Sequence, residues 1–287
     1  MKKILICLLF LALVCGCSNE DVDEKDFSNV NSIAELKGSK IAVQTDLHED
    51  LAKQIEDVEY TFYDNFDMCA TAVKSGVMDG AIMDEPAAIS YCNKDDSFGY
   101  IKLANNDNGF TVSKADYANA AAFKKGNELC TKVNEIISAI DMNTYYQLME
   151  EVLLVSAGKE IDSFVLDKYT SQDTSNGTLI VGMECASEPF NWTDVDGASF
   201  GSETIAYGAG AGEPCNGLDV QVAKYVAAQL GYKLEVYALE WDSLLPALDS
   251  EAIDVIIGNM SPREDRIVKY DFTESYYDVN YVVLYKK

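Results

Sequence analysis

The sequence predicts an α/β protein of two lobes, each a mostly parallel sheet flanked by helices. Two observations carry this reading: strand–helix–strand alternation in both halves of the chain, and an internal repeat at a constant offset. At about 100–200 residues per domain, 287 residues leave room for two sizeable cores. Apolar residues make up 48% and charged residues 24%, a globular composition.

The elements follow in chain order. Lys2 and Lys3 precede an apolar run, Ile4 to Val14, and then Cys15-Gly16-Cys17. A basic start, a short apolar core and a small residue read as a secretory signal over residues 1–16, too short to span a bilayer. A cysteine just after that small residue resembles a bacterial lipobox, which implies cleavage before Cys17 and its lipidation. Several acyl chains would hold a soluble domain on a membrane, at ~0.8 kcal/mol per buried CH₂. Residues 17–30 read as a polar tether. Next come a strand over 40–44, a helix over 47–55 and a strand over 58–63. Residues 127–165 are helix-like, with Val133, Ile136, Ile137 and Ile140 on one face. Residues 167–177 are small and polar, a flexible linker. Then come a strand over 179–183, a helix over 219–230 ended by Gly231, and a strand over 233–238.

The repeat lies within this alternation. Asn65-Phe66-Asp67 to Asp84 aligns with Glu240-Trp241-Asp242 to Asn259 at an offset of 175, each copy a helix, a turn and an apolar strand. In parallel α/β sheets, ligands bind beyond the carboxyl ends of the strands. Asp84 in one lobe and Asn259 to Arg266 in the other should therefore line sites, and if the two sites face each other a ligand would lie in a cleft between the lobes.

Composition also excludes. Forty-eight acidic residues against 22 basic ones give a net charge of −26, and Arg263 and Arg266 are the only arginines. A groove that tracks phosphates needs clustered basic side chains, so nucleic acid is not an expected partner. A single histidine, His48, excludes a His-rich metal centre, and no CxxC is present. Gly208-Ala209-Gly210-Ala211-Gly212 lacks the Lys-Ser/Thr of a nucleotide loop, so the segment 194–214 reads as a mobile surface insertion. No cofactor is expected. Of the cysteines after Cys17, Cys185 and Cys215 bracket one long loop and form the one pair nominated for a disulfide.

Several stretches together are recognisable. Val181-Gly182-Met183-Glu184-Cys185, Pro189-Phe190, Asn216-Gly217-Leu218-Asp219-Val220, Trp241 to Leu248, Ile253-Asp254-Val255-Ile256, Ser261 to Arg266, and Asp271 to Tyr277 resemble the first lobe of the type II periplasmic binding proteins. These proteins, the bacterial solute-binding family 3, serve amino-acid ABC transporters. Leu36-Lys37-Gly38, Ile41 to Thr45, Asp79 and Asp84-Glu85-Pro86 resemble the second lobe. Family members run lobe one, then lobe two; here the order is reversed. The resemblance implies a circular permutation with new ends at the hinge; a truncated tandem protein whose lobes pair between molecules is the rival. The expected organisation is a second-lobe-like domain at 31–123, helices packing on lobe one at 124–166, the linker, and a first-lobe-like domain at 178–287.

The resemblance also implies roles. Arg266 grips the ligand α-carboxylate with its planar guanidinium fork, assisted by Ser261. Asp84 accepts from the ligand ammonium; the alternative is an N-cap before Pro86. Trp241 and Phe190 wall the side-chain pocket, with Asn259 beside them. Glu184 stands where some relatives contact a basic ligand side chain. Phe66 and Arg263 are expected in the core and on the surface respectively. Two departures stand out: Ser187 replaces an aromatic lid residue, and the usual Gly-Thr-Thr helix start reads Thr45-Asp46-Leu47-His48, where Asp46 and Glu49 suit a capping box. Thr45 and His48 are candidate contacts. The leading expectation is a lipid-anchored, extracytoplasmic receptor without catalysis that passes an amino acid to a membrane permease. A dehydratase-like enzyme of the same fold and a sensory module remain the alternatives.

Overall fold

The computed structural model describes Lys25 and residues 27–44, 46–169 and 174–287. The expected signal segment, Cys17, most of the tether, Thr45, the Asp46 side chain and residues 170–173 of the linker lie outside the described residues.

The N-terminal lobe is built from β1 (Lys40–Val43), α1 (Asp46–Ala52), β2 (Glu59–Phe62), α2 (Phe66–Lys74), β3 (Gly80–Asp84), α3 (Glu85–Lys94) and β4 (Phe98–Ile101). The chain then passes through α4 (Lys114–Tyr117) and β5 (Ala118–Asn119) to β6 (Ala122–Lys124), α5 (Leu129–Ser138) and α6 (Met142–Ser156). The C-terminal lobe holds β7 (Thr178–Met183), β8 (Ala186–Ser187), β9 (Asn191–Thr193), β10 (Glu203–Gly208), β11 (Pro214–Asn216), α7 (Leu218–Leu230), β12 (Lys233–Ala238), α8 (Trp241–Asp249), β13 (Val255–Ile256), α9 (Glu264–Ile267) and β14 (Tyr270–Phe272). The last elements are β15 (Tyr277–Asp278) and β16 (Tyr281–Lys286).

The two sheets share one plan. The first has the order β2-β1-β3-β16-β4, and the second contains β12-β7-β13-β6-β14. In each, the first three strands are parallel and the fourth runs antiparallel to its neighbours. That fourth strand is exchanged: β6 enters the C-terminal sheet, and β16 enters the N-terminal one. The boundaries read from sequence, 31–123 and 178–287, therefore differ from the sheets at both crossings. A boundary drawn from residue order cannot see a strand completing the other lobe. Where the chain crosses, β5 and β15 pair antiparallel as a two-stranded ribbon.

The repeat is matched residue by residue. Helices α2 and α8 have bounds at the same offset, with Asn65 and Glu240 at the N-caps and Ser75 and Ser250 at the C-caps. Asp79 Oδ2 accepts from the Lys40 N–H at 2.7 Å, and Asp254 Oδ2 from the Ile180 N–H at 2.8 Å. Each aspartate pins the start of its central strand to the turn after its helix.

Helix α7 has the expected apolar stripe, with Leu218, Val222 and Val226 fully buried, and Gly231 caps it in the left-handed conformation. The helix-like stretch over 127–165 holds two helices, α5 and α6, and Asp141 starts α6 by accepting from the Thr144 N–H at 3.2 Å. Helix α6 packs against α3 of one lobe and α7 of the other. The insertion 194–214 is not merely a loop: β10 pairs with β12 and β11 and extends the C-terminal sheet. Gly208 allows this, since a Cβ there would meet the Ala238 carbonyl oxygen at 1.8 Å.

Candidate functional site

A cleft of about 560 Å³ lies between the lobes. Its lining includes His48, Asp84, Glu184, Trp241, Asn259, Ser261 and Arg266, all singled out from sequence.

Asp84 ends β3 and stands at the N-cap of α3, yet its side chain makes no capping hydrogen bond. It turns into the cleft instead. Its Oδ2 accepts from the Asn259 amide at 2.8 Å, and Oδ1 lies 3.7 Å from His48 Nε2. The Asn119 amide in turn donates to the Asn259 side-chain oxygen. Asp84 and Asn259 are repeat counterparts, so the two equivalent strand ends meet across the cleft. Asn259 adopts a left-handed backbone, φ 52°, a conformation asparagine tolerates better than most residues. His48 is 4% exposed, with its ring 5.4 Å from Phe66 and 6.0 Å from Tyr281. It is a buried wall of the cleft, not a partly exposed helix residue.

Arg266 sits in the last turn of α9, half-buried. Its Nη1 donates to the Ser261 carbonyl at 3.0 Å, and its guanidinium lies 5.5 Å from the Trp241 ring. The carbonyl fixes one edge of the fork and the indole supports its face. Ser261 assists by its carbonyl, because its hydroxyl donates to the Asp116 carbonyl at 2.9 Å.

Glu184 follows β7, and Ser187 donates to its Oε2 at 2.9 Å. Burial pushes the Glu184 carboxyl above its ordinary value, and neighbouring Glu240 and Asp242 push the same way. A cation placed there would relieve all three. Beneath it, Asp219 is fully buried. It accepts from Asn191 at 2.7 Å, from the Tyr276 hydroxyl at 2.7 Å and from the Asn259 N–H. Burial pushes its carboxyl up to about 7, while these donors pull the other way.

Two expectations need correcting. Phe190 is 0% exposed and belongs to the core, its ring 6.0 Å from Tyr277. The turn that joins Phe190 N–H to the Ser187 carbonyl folds the ring away from the cleft. Phe66 is buried in the core as expected, and it also lines the cleft. Arg263, expected on the surface, is half-buried, lines the cleft and reaches Asp50 of the other lobe at 3.4 Å. Sequence reasoning also missed Asn119 and Tyr281. Both come from exchanged segments near the crossings, and neither carries a motif. Among the described residues, no cluster of His, Cys, Asp and Glu could hold a metal ion.

The family model for bacterial extracellular solute-binding proteins, family 3, matches residues 179–287. Over this segment the chain is similar to that family. The L-cystine-binding protein TcyJ of Escherichia coli (strain K12) is 30% identical over 120 residues, 42% of this chain and 39% of that protein. The arginine-binding extracellular protein ArtP of Bacillus subtilis (strain 168) is 31% identical over 118 residues, 41% of this chain and 40% of its own length. This chain thus spans about two-fifths of the curated relatives it matches. Among solved structures, the arginine-bound form of domain 1 from TmArgBP is 28% identical, with a TM-score of 0.30, covering 39% of this chain and 82% of that one. The family is extracellular, both named relatives are binding proteins by name, and no helix among the described residues is long and apolar enough to cross a membrane.

Proposed function

We propose that this chain is a substrate-binding protein that captures an amino acid in the cleft and delivers it to an ABC transporter permease, without catalysis. Arg266 takes the α-carboxylate and Asp84 the ammonium. The observation that carries this is the placement of a supported guanidinium and an uncapped, cleft-facing carboxylate on opposite lobes of one cavity. A zwitterion between them stabilises the closed arrangement by contacts that the separated lobes lack. Asn259 now occupies Asp84, so an ammonium would replace a neutral donor with a charged one. Glu184, with Ser187 holding it, favours a ligand whose side chain carries a positive charge.

In this reading residues 1–16 are removed and Cys17 is acylated, which places the protein on the outer face of the cell membrane. The element order, second-lobe-like before first-lobe-like, is a circular permutation. Phe27 packs edge-on against Tyr285 at 6.1 Å, so the two ends of the described fold lie together. Ends opened by a permutation were once joined and so are expected to remain neighbours; the permutation itself is tolerated when the old termini, here joined through 167–177, lie close together.

A thermal-shift screen of the twenty amino acids, small peptides and polyamines tests the ligand. Stabilisation should follow RT ln(1 + [L]/Kd) and should be greatest for amino acids with a cationic side chain. Absence of any shift with every zwitterion would overturn the reading. Mass spectrometry of membrane-extracted protein should find an acylated Cys17.

A further inference from the structure

Behind the cleft, two buried thiols face each other. Cys185 follows Glu184 directly and holds a left-handed backbone, φ 57°. Its carbonyl accepts from the Thr193 N–H at 2.9 Å and the Thr193 hydroxyl at 3.0 Å, and its own N–H donates to Asn191 at 2.7 Å. Thr193 is the direct cross-strand partner of Cys215 in the β9–β11 ladder. The loop and the strand are therefore laced together at this point. The two side chains are 5% and 0% exposed and sit in the same core cluster. The other described cysteines lie elsewhere: Cys69 on α2, Cys92 on α3 and Cys130 on α5.

Both thiols are free in this structure, one on the loop and one on the strand that Thr193 ties together. We propose that Cys185 and Cys215 join as a disulfide when the chain folds in an oxidising, extracytoplasmic compartment, stapling the loop that carries Glu184 to strand β11. The bond forms by exchange with a disulfide-bearing oxidoreductase or a small disulfide such as oxidised glutathione. One cysteine thiolate attacks the donor disulfide and expels a thiolate. The second cysteine thiolate then attacks the mixed disulfide and expels the other. The two cysteines lose two electrons and two protons, and the donor leaves as two thiols.

The surroundings set when this happens. The neighbouring thiol, and then burial, push the Cys185 thiol well above its ordinary value. The native pair therefore offers little thiolate, and thiolate is the reactive form. Exchange belongs to the folding chain, before the loop packs; afterwards the bond is shielded from reductant. The pair is a structural staple, not a rapid switch. It closes the loop 185–215, which reduces the freedom of the unfolded chain. The lacing by Thr193 and Asn191 keeps the loop in place with or without the bond. The proposal does not depend on the ligand assignment.

The test uses the full chain secreted through an oxidising compartment, denatured without reductant, alkylated, digested and mapped by mass spectrometry. A linked peptide pair containing Cys185 and Cys215, with Cys69, Cys92 and Cys130 alkylated, supports the staple. Alkyl groups on both Cys185 and Cys215, or either one bridged to another cysteine, overturns it. In parallel, reduction during unfolding should lower the Tm by about 5–10 °C. The doubly substituted Cys185→Ser, Cys215→Ser chain should show no response to reductant. If that variant does not fold, the mapping of the unaltered chain still decides. An unchanged Tm in the unaltered chain counts against the proposal.

Discussion

The two lobes use the same strand–helix plan to different ends. In the N-terminal lobe, residues 44–45 alone separate the central strand β1 from α1; in the C-terminal lobe, residues 184–217 separate β7 from α7. The short connection brings His48 on α1 directly to the cleft, where Asp84 and the aromatic rings of Phe62, Tyr63 and Phe66 join it in that lobe's lining. The long one adds Glu184, its Ser187 partner, the cysteine pair and a ladder that extends the sheet. At the repeat's end the lobes diverge again. β3 is fully buried along all five residues and delivers a carboxylate, whereas β13 has two residues and is followed by Asn259 in a left-handed turn. An acceptor and a donor thus stand at equivalent points and bond to each other. Duplication fixed where the site lies, and divergence fixed which charge each lobe contributes.

That asymmetry can be broken from either side. The largest effect is expected from Arg266→Ala, which removes the guanidinium proposed to grip the ligand carboxylate. Ligand affinity should fall about 100-fold or more, as for loss of one partner of a desolvated charge pair, read by titration calorimetry. An unchanged Kd would remove Arg266 from the site.

Next comes the carboxylate of the C-terminal lobe. Burial holds the Asp219 carboxyl at about 7 in the folded protein, against the usual 3.8. The folded state then binds a proton that the unfolded state releases. Its stabilising contribution is complete below about pH 4 and is lost as pH rises through 7. Across that window stability falls by a few kcal/mol, at no more than about 1.4 kcal/mol per pH unit for a single proton. Asp219→Asn should flatten the fall in urea-derived stability between pH 4 and 7, and an undiminished slope would place the titration elsewhere.

On the N-terminal side, Asp84→Asn keeps shape but deletes the charge that faces the ligand ammonium. A loss of about 10-fold or more in affinity is expected, with little change in the unliganded Tm. Glu184→Gln should be selective: about 10-fold weaker binding for ligands with a cationic side chain and no change for neutral ones. Equal losses for both kinds would show that Glu184 acts on the fold rather than on specificity.

The smallest effect is expected at the bond between the lobes. Asn259→Gly relieves a left-handed non-glycine residue but deletes two side-chain hydrogen bonds, to Asp84 and from Asn119, so the opposing changes should leave a net loss of about 1 kcal/mol. A double-mutant cycle with Asp84→Asn isolates the bond across the cleft.

Much of this arrangement is legible in the residues alone. Local rules locate α7 and its Gly231 cap, because an apolar stripe and a glycine act within a few residues. The repeat locates Asp84 and Asn259, because equal spacing folds to equal elements. Arg266 stands out because the chain has so few arginines. Phe190 escapes such rules because burial depends on which way a turn folds a ring, which composition does not encode. Arg263, Asn119 and Tyr281 escape them because their partners lie far away in sequence or across the exchanged strands. The strand exchange itself is invisible at that level: β6 and β16 each carry an apolar pattern that suits either sheet. The sequence by itself determined the local elements, the duplication and the charged groups available for binding. Only the tertiary structure decided which lobe each crossing strand completes and which groups meet in the cleft, because those choices depend on long-range pairing and not on any residue's own preference.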